Sequence, residues 1–543
     1  MSEAQADLVL TGGPVYTVDA ARRWAEAVAV RGGRILAVGT ARDVAEHAGP
    51  RTRLLELDGR LVLAGFQDAH LHPPSGGLYQ LRCELHGTIN RREYLELVRR
   101  YAAEHPGAEW ILGGGWSMDS FPGGVPHRDD LDAIVPGRPI FLTSRDGHTP
   151  WVNARALELA GITRATPDPP DGRIERDAAG EPSGAVHEGA MSLVERLVPE
   201  TTQAEWEQAI LLAQAHLHAL GITACQDATV EPLTLTAYRA LAERGELTMR
   251  IEGNLRWTRE RGEEQIADMV ERRAGGSVGR LRIRGAKIFQ DGVMENFTAA
   301  MLEPYIGKDT SGISMHEPDE LARMVTLLDA EGFQVHIHAI GDRAVRESLD
   351  AIEAAGRANG RRDARHHLAH IEVIHPDDIP RFRELGVVAN AQPYWAVRSG
   401  YIEELTLPFV SEETARRIYP FGSLHRAGAP LAFGSDWTVS TANPLLEIEV
   451  AVTRVSPQDR SAEPFLPEQR LDLPTAIAAF TIGSAYVNHL DTETGSIEPG
   501  KLADLAVLDR NVFDPGAGPI GDARVVLTLV EGEAVYEDPA LAR

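Results

Sequence analysis

The sequence predicts an α/β protein: a (β/α)8 TIM barrel with a large insertion after its first strand, joined to a small β-sandwich built from both chain termini. Units reading helix, glycine, buried apolar strand and polar strand end recur through the middle of the chain, which implies a parallel sheet covered by helices. Eight such strands can be counted, the number a closed parallel barrel requires. Both ends use a different idiom, short alternating strands joined by Gly-Gly, Asp-Gly or Glu-Gly turns, which are hairpin signals. The 543 residues, 43% hydrophobic and 25% charged, have the composition of an ordinary globular protein and the length of more than one domain.

At the N-terminus, residues 1–64 supply Asp7 to Leu10, AVAV from Ala27, the turn RGGR, ILAVG from Ile35, and LLELDGRLVL around Asp58-Gly59. Each Gly-containing turn is read as a hairpin. Residues 495–543 repeat the idiom in LADLAVLDR from Leu502 and in VVLTLVEGEAVYE, turning at Glu531-Gly532. Isolated hairpins are marginal in water, so the two ends are expected to share one sandwich rather than to pack separately.

The barrel is expected over 65–494. Its strands are GFQDAHLH (65–72), ITACQDAT (222–229), MRIEGNLRW (249–257), RIRGAKIFQDG (282–292), FQVHIHAIGD (333–342), HHLAHIEV (366–373), VVANAQPYW (387–395) and PLAFGSDW (430–437). Gly221, Gly332, Gly386 and Gly428 each stand where a helix needs a left-handed residue before the chain reverses into a strand. Thr202 and Glu205 form a capping-box pattern ahead of EWEQAILLAQAHLHAL. An open doubly wound sheet is the alternative, but no GxGxxG follows an early strand. Residues 73–220 are far more than a βα unit needs, and they follow a strand's C-terminal end. This insertion is therefore expected over the face where barrel active sites form, as a lid and substrate-binding subdomain.

Lys and Arg total 54 against 80 Asp and Glu, a formal charge of -26, so a nucleic-acid partner is disfavoured. Two cysteines, Cys83 and Cys225, without a CxxC suit a reducing compartment. The opening MSEAQADLVL lacks a signal-peptide pattern, and no stretch approaches the roughly 20 apolar residues of a membrane span. A cytoplasmic enzyme with a small-molecule substrate and no membrane partner is expected, and a homo-oligomer is compatible with the barrel.

Residues i and i+2 of a strand share a face. His70 and His72 therefore share one with Asp68, Lys287 aligns with Asp291, His336 aligns with His338, His366 aligns with His370, and Asp436 ends the eighth strand. Taken singly, each has an ordinary reading as a core histidine, a solvent-seeking lysine or a helix cap. Together, at one end of one barrel, they supply the nitrogen and oxygen ligands of a divalent metal, with Zn²⁺ favoured by ligand type over Mn²⁺ or Fe²⁺. An ammonium cannot bind a cation, but desolvation lowers a buried lysine pKa. The free amine of Lys287 can then take up carbon dioxide to give a carbamate that bridges two metals. An unmodified Lys287 implies one.

These residues, in this order, resemble the metal-dependent amidohydrolase superfamily, and nearly the whole chain takes part. The resemblance implies that His70 and His72 in GFQDAHLH, a carboxylated Lys287 in KIFQDG, His338 in HAIGD, His370 in HIE and Asp436 in GSDW bind the metals. It selects His338 over His336 and leaves His336, His366 and His367 as core or supporting residues. DGHTPWVNARALELAGI, GEPSGAVHEGAM and DGVMENFTAAMLEPY look like the YtcJ-type, or amidohydrolase 3, branch, to which N-substituted formamide deformylases belong. His338 is followed by Ala-Ile-Gly-Asp, unlike the ring-deaminating branches, which usually place a Glu nearby.

The expected reaction is hydrolysis of a non-peptide C–N bond, an amide or N-formyl or N-acyl group, by a metal-activated hydroxide. Asp436 is the expected proton shuttle from that hydroxide to the leaving nitrogen. Trp116, His148 and Trp151 in the insertion, with Asn390 and Gln392 on the seventh strand, are the candidate substrate contacts. Hydrolysis of a cyclic amide, ester or carbamate by the same chemistry is one alternative. A non-catalytic binding or regulatory barrel is another.

Overall fold

In a computed structural model, which describes residues 5–539, the eight expected strands pair in chain order. They are β1 (Phe66–Leu71), β2 (Ile222–Val230), β3 (Arg250–Arg256), β4 (Leu281–Phe289), β5 (Gln334–Ala339), β6 (His367–His370), β7 (Val388–Ala391) and β8 (Leu431–Phe433). Every neighbouring pair is parallel. The strands are almost wholly buried, as a sheet lined by helices outside and side chains inside requires. Gly221, Gly332, Gly386 and Gly428 all have positive φ, between 72° and 82°, and the Thr202–Glu205 capping box opens the helix Gln203–Ala219.

The circle closes irregularly. Between β8 and β1 the contacts fall beyond the end of β8: Asp436 N–H donates to His70 O (2.7 Å) and His72 N–H to Trp437 O (3.0 Å). Asp68 reinforces the seam by accepting from the backbone N–H of His70 (2.9 Å) and of Ser435 (3.1 Å). A side chain at Gly434 would put Cβ 2.5 Å from His70 N, so only glycine permits this approach.

Both ends of the chain meet in one sheet, where Leu61–Ala64 runs antiparallel to Leu505–Leu508. A second sheet holds Leu8–Thr11, Ala27–Arg31, Arg34–Gly39 and Arg53–Glu56. Leu10, Val28 and Val30 of one sheet share a buried cluster with Val62, Leu505 and Val507 of the other. The Gly32-Gly33 and Glu531-Gly532 turns close hairpins. Asp58-Gly59 does not: Arg53–Glu56 pairs in parallel with Leu8–Thr11, whereas Leu61–Ala64 enters the other sheet. The tight turn is there, with φ of 51° and 82°, but it carries the chain across the sandwich, because each strand finds a better partner elsewhere. The outermost terminal positions, 1–4 and 540–543, lie outside the described residues.

The segment after β1 forms a six-stranded mixed sheet from Cys83–Glu84 to Pro182–Glu188, with two apolar clusters, one of which also takes in Leu405 from the segment after β7. Its far end, the helix Gln203–Ala219, belongs to the barrel's outer layer and feeds β2. Among the described residues no helix is long and apolar enough to cross a membrane.

Candidate metal centre

His70, His370 and Asp436 converge at the C-terminal mouth of the barrel, with one ligand atom from each lying within 4.8 Å of the others. The Asp436 carboxylate is 3.4 Å from His70 Nε2, 3.1 Å from His72 Nε2 and 3.9 Å from His370 Nδ1. His370 and Asp436 have φ of 80° and 50°, values rare for residues with side chains and typical of functional strand ends. Burial holds the His70 imidazole down to about 3, so it is neutral and has a lone pair to offer. Burial opposes the charge on Asp436, but His70, His72 and His370 outweigh it and hold the carboxyl well below its usual range.

Lys287, from β4, is 1% exposed, and its Nζ has no hydrogen-bond partner. The Phe289 ring lies beside it, 4.9 Å from Nζ to centroid. Burial pushes the amine down to about 7 against the pull of Asp436. His370 Nδ1 and Asp436 Oδ1 are likewise buried without a hydrogen bond. Leaving three such groups unmade would cost several kcal/mol. A divalent cation satisfies the nitrogen and the carboxylate together, so the donor set fits a metal ion.

The remaining histidines differ in position. His338 lines the cavity, and its Nδ1–H donates to Asp291 Oδ1 (3.1 Å), an outer carboxylate that fixes ring orientation as metal-site histidines require. Asp291 is itself fixed by the N–H groups of Ala300, Ile340 and Gly341. His336 lies beneath, with Nε2 2.9 Å from His70 Nδ1, and its ring packs at a tilt against His367, 3.9 Å between centroids. His366 binds Val335 N–H and Asp329. These three support the site and do not line it.

Residues of the insertion and of the barrel's strand ends and loops together line an open cavity of about 1680 Å³. From the insertion, His148 reaches the barrel and packs 5.5 Å from the His338 ring. Its Nδ1–H donates to Glu188 Oε2 (2.9 Å), and Glu188 Oε1 accepts from Thr298 Oγ1 (2.8 Å). Burial works against the charge on His148, yet the Glu188 carboxylate outweighs it and pushes the imidazole up to about 9. The four other expected substrate contacts are placed elsewhere. Trp116 and Trp151 are fully buried in the insertion's own core, with indole N–H groups donating to Leu142 O and His127 O. Asn390 donates to Ala69 O inside the barrel, and Gln392 donates to Asn390. None of the four lines the cavity; the aromatic pair fills the core, Asn390 satisfies the buried Ala69 carbonyl, and Gln392 supports Asn390.

Glu188, Asp291, Glu295 and Glu372 line the cavity without having been singled out as site residues from the sequence. Glu372 follows His370 at i+2, and Asp291 aligns with Lys287, so the parity that exposed the histidines also marks these two. Glu188 ends the insertion strand Pro182–Glu188 at a positive φ of 51°, which breaks the strand's alternation there, and Glu295 lies in a loop, where no periodicity applies.

Imidazoles and a carboxylate gathered at the C-terminal mouth of a parallel barrel define a metal-dependent hydrolase. Comparison with known sequences agrees, and residues 53–536 match the amidohydrolase family, so the chain belongs to that family. It is 33% identical to Protein LONG AFTER FAR-RED 3 of Arabidopsis thaliana over 98% of this chain and 92% of that one. Identity is 29% to the putative amidohydrolase YtcJ of Bacillus subtilis, with 97% and 98% covered. It is 28% to an N-substituted formamide deformylase of Arthrobacter pascens, with 98% of each covered. Among solved structures, an uncharacterized metal-dependent hydrolase from Pyrococcus horikoshii superposes with a TM-score of 0.74 at 27% identity, over 95% of this chain and 99% of that one.

Proposed function

We propose that this enzyme hydrolyses a non-peptide C–N bond, an amide or an N-formyl or N-acyl amine, using Zn²⁺ held by His70, His72, His338, His370, Asp436 and a carboxylated Lys287. The observation that carries this reading is the set of buried atoms at the mouth that lack a hydrogen bond, Lys287 Nζ, His370 Nδ1 and Asp436 Oδ1, the last with only the His70 and His72 imidazoles beside it. When bound, the metal supplies Lewis-acid polarisation of the scissile carbonyl and a lowered pKa for attacking water. Asp436 Oδ1 takes the proton of the attacking water and returns it to the leaving nitrogen, which otherwise would depart as an amide anion. His148, with Nδ1 fixed by Glu188, turns Nε2 toward the cavity and donates to the carbonyl oxygen as negative charge develops there. The insertion acts as the lid that excludes bulk water. The relative that deformylates N-substituted formamides supports the choice of bond.

The test uses Asp436→Asn, which keeps an oxygen ligand and removes the proton acceptor. Turnover of simple formamides and acylamines should fall by about 10²- to 10⁴-fold, with metal content by elemental analysis nearly unchanged. Full activity in this variant excludes the proton-shuttle role.

A further inference from the structure

Beyond the metal ligands, the cavity wall carries a second group of acids that the hydrolytic mechanism does not use. Glu372, two residues past His370, is 3% exposed, yet its Oε2 has no hydrogen-bond partner; its other contact is the Tyr419 hydroxyl. Glu295, in the loop after β4, faces it closely enough for the two carboxyls to repel, and makes no side-chain hydrogen bond to another residue. Asp146 and Asp291 add to the negative potential around Glu295 and Glu372, with the His148 imidazole on the cavity side and Arg454 behind Tyr419. No Arg or Lys forms an ion pair with either glutamate among the described residues.

Buried carboxylates are ordinarily paired, because an isolated one costs far more than a hydrogen bond recovers. Asp291 meets that requirement through three backbone N–H groups and His338, and Glu188 through His148 and Thr298. Buried Glu372 meets it only in part, through the Tyr419 hydroxyl, and its Oε2 is left open; Glu295, half-buried on the cavity wall, has no side-chain partner within the chain. We infer that Glu295 and Glu372 form a subsite for a protonated amine carried by the substrate, so that the preferred substrates are C–N compounds bearing an ammonium group. A hydrogen-bond donor completes the subsite, and an alkylammonium also supplies the positive charge that favours ionisation of the two carboxyls. Burial pushes the Glu295 carboxyl up to about 7, in keeping with a group that lacks its counterion. Charge selection by this wall also explains how an acidic cavity coexists with a metal centre: the metal end takes the carbonyl and the glutamate end takes the cation.

The inference rests on the C–N hydrolase reading, and a matched pair separates the two. N-(4-aminobutyl)formamide and N-pentylformamide are nearly isosteric and differ in one ammonium. The wild-type enzyme should prefer the cationic formamide by about tenfold or more in kcat/KM, mostly through KM, as expected of a charge-assisted hydrogen bond. In Glu295→Gln the preference should fall toward unity. Glu372→Gln should act alike, and if it fails to fold, the more accessible Glu295 still decides. Binding of 1,4-diaminobutane, followed calorimetrically, gives a readout that needs no turnover, and it should be lost in Glu295→Gln. Diamine binding without hydrolysis of either formamide would remove the C–N reading and leave the subsite standing. Equal use of both formamides by wild type, a preference that survives both variants, or loss of a metal equivalent in Glu295→Gln would overturn the subsite.

Discussion

At the scale of single residues, the site is defined by side chains whose hydrogen-bonding needs the protein leaves open. His148 is the opposite case, since Glu188 fully engages its Nδ1 and leaves one nitrogen for the substrate. Glu188→Gln keeps the shape and removes the charge, so it should lower kcat by about 10-fold to 100-fold with a smaller change in KM, measurable by steady-state kinetics. His218 makes a stability prediction away from the site. Its Nδ1–H donates to Ile222 O and its Nε2 accepts from Thr248 Oγ1, both at 2.9 Å, and burial lowers its pKa from 6.5 to about 4. The unfolded chain then binds the extra proton, so stability is complete above about pH 6.5 and falls as pH drops toward 4, by on the order of 3 kcal/mol. The fall in melting temperature between pH 7 and 4.5 should be smaller in His218→Gln.

At the scale of elements, the strands deliver these side chains by parity, and one irregular seam completes the ring. Gly434 sets the distance between the end of β8 and His70. Gly434→Ala must push Asp436 away from His70, with a destabilisation of about 1–3 kcal/mol for overpacking. Metal stoichiometry should fall with it, and unchanged metal content at reduced stability would show that the seam does not set the ligand geometry. The barrel strands were legible because burial makes each an apolar run ended by polar residues. Asp58-Gly59 shows the limit of such reading. A turn signal fixes local φ, as it does here, but whether the flanking strands pair with each other is decided by partners that lie far along the chain.

At the scale of the whole molecule, the terminal sheets are tied to the end of the barrel opposite the metal centre. Arg250, at the start of β3, forms a buried ion pair with Asp504 and a second pair, at 2.5 Å, with the more exposed Glu531. Arg250→Ala strands the buried Asp504 carboxylate and should cost about 3–5 kcal/mol, seen as a lower denaturation midpoint, with kcat and metal content preserved because the site lies at the other face. The sequence by itself determined the barrel, the chain-order pairing of its strands and the cluster of His70, His370 and Asp436, because strand periodicity and residue chemistry are local properties. Only the tertiary structure decided that Trp116, Trp151, Asn390 and Gln392 face away from the cavity, that His148 is tethered by Glu188, and that Glu295 and Glu372 stand unpaired beside the metal centre. Those outcomes depend on which surfaces of the insertion and of the loop after β4 come to rest on the barrel mouth, and packing between distant segments leaves no periodic mark in the chain.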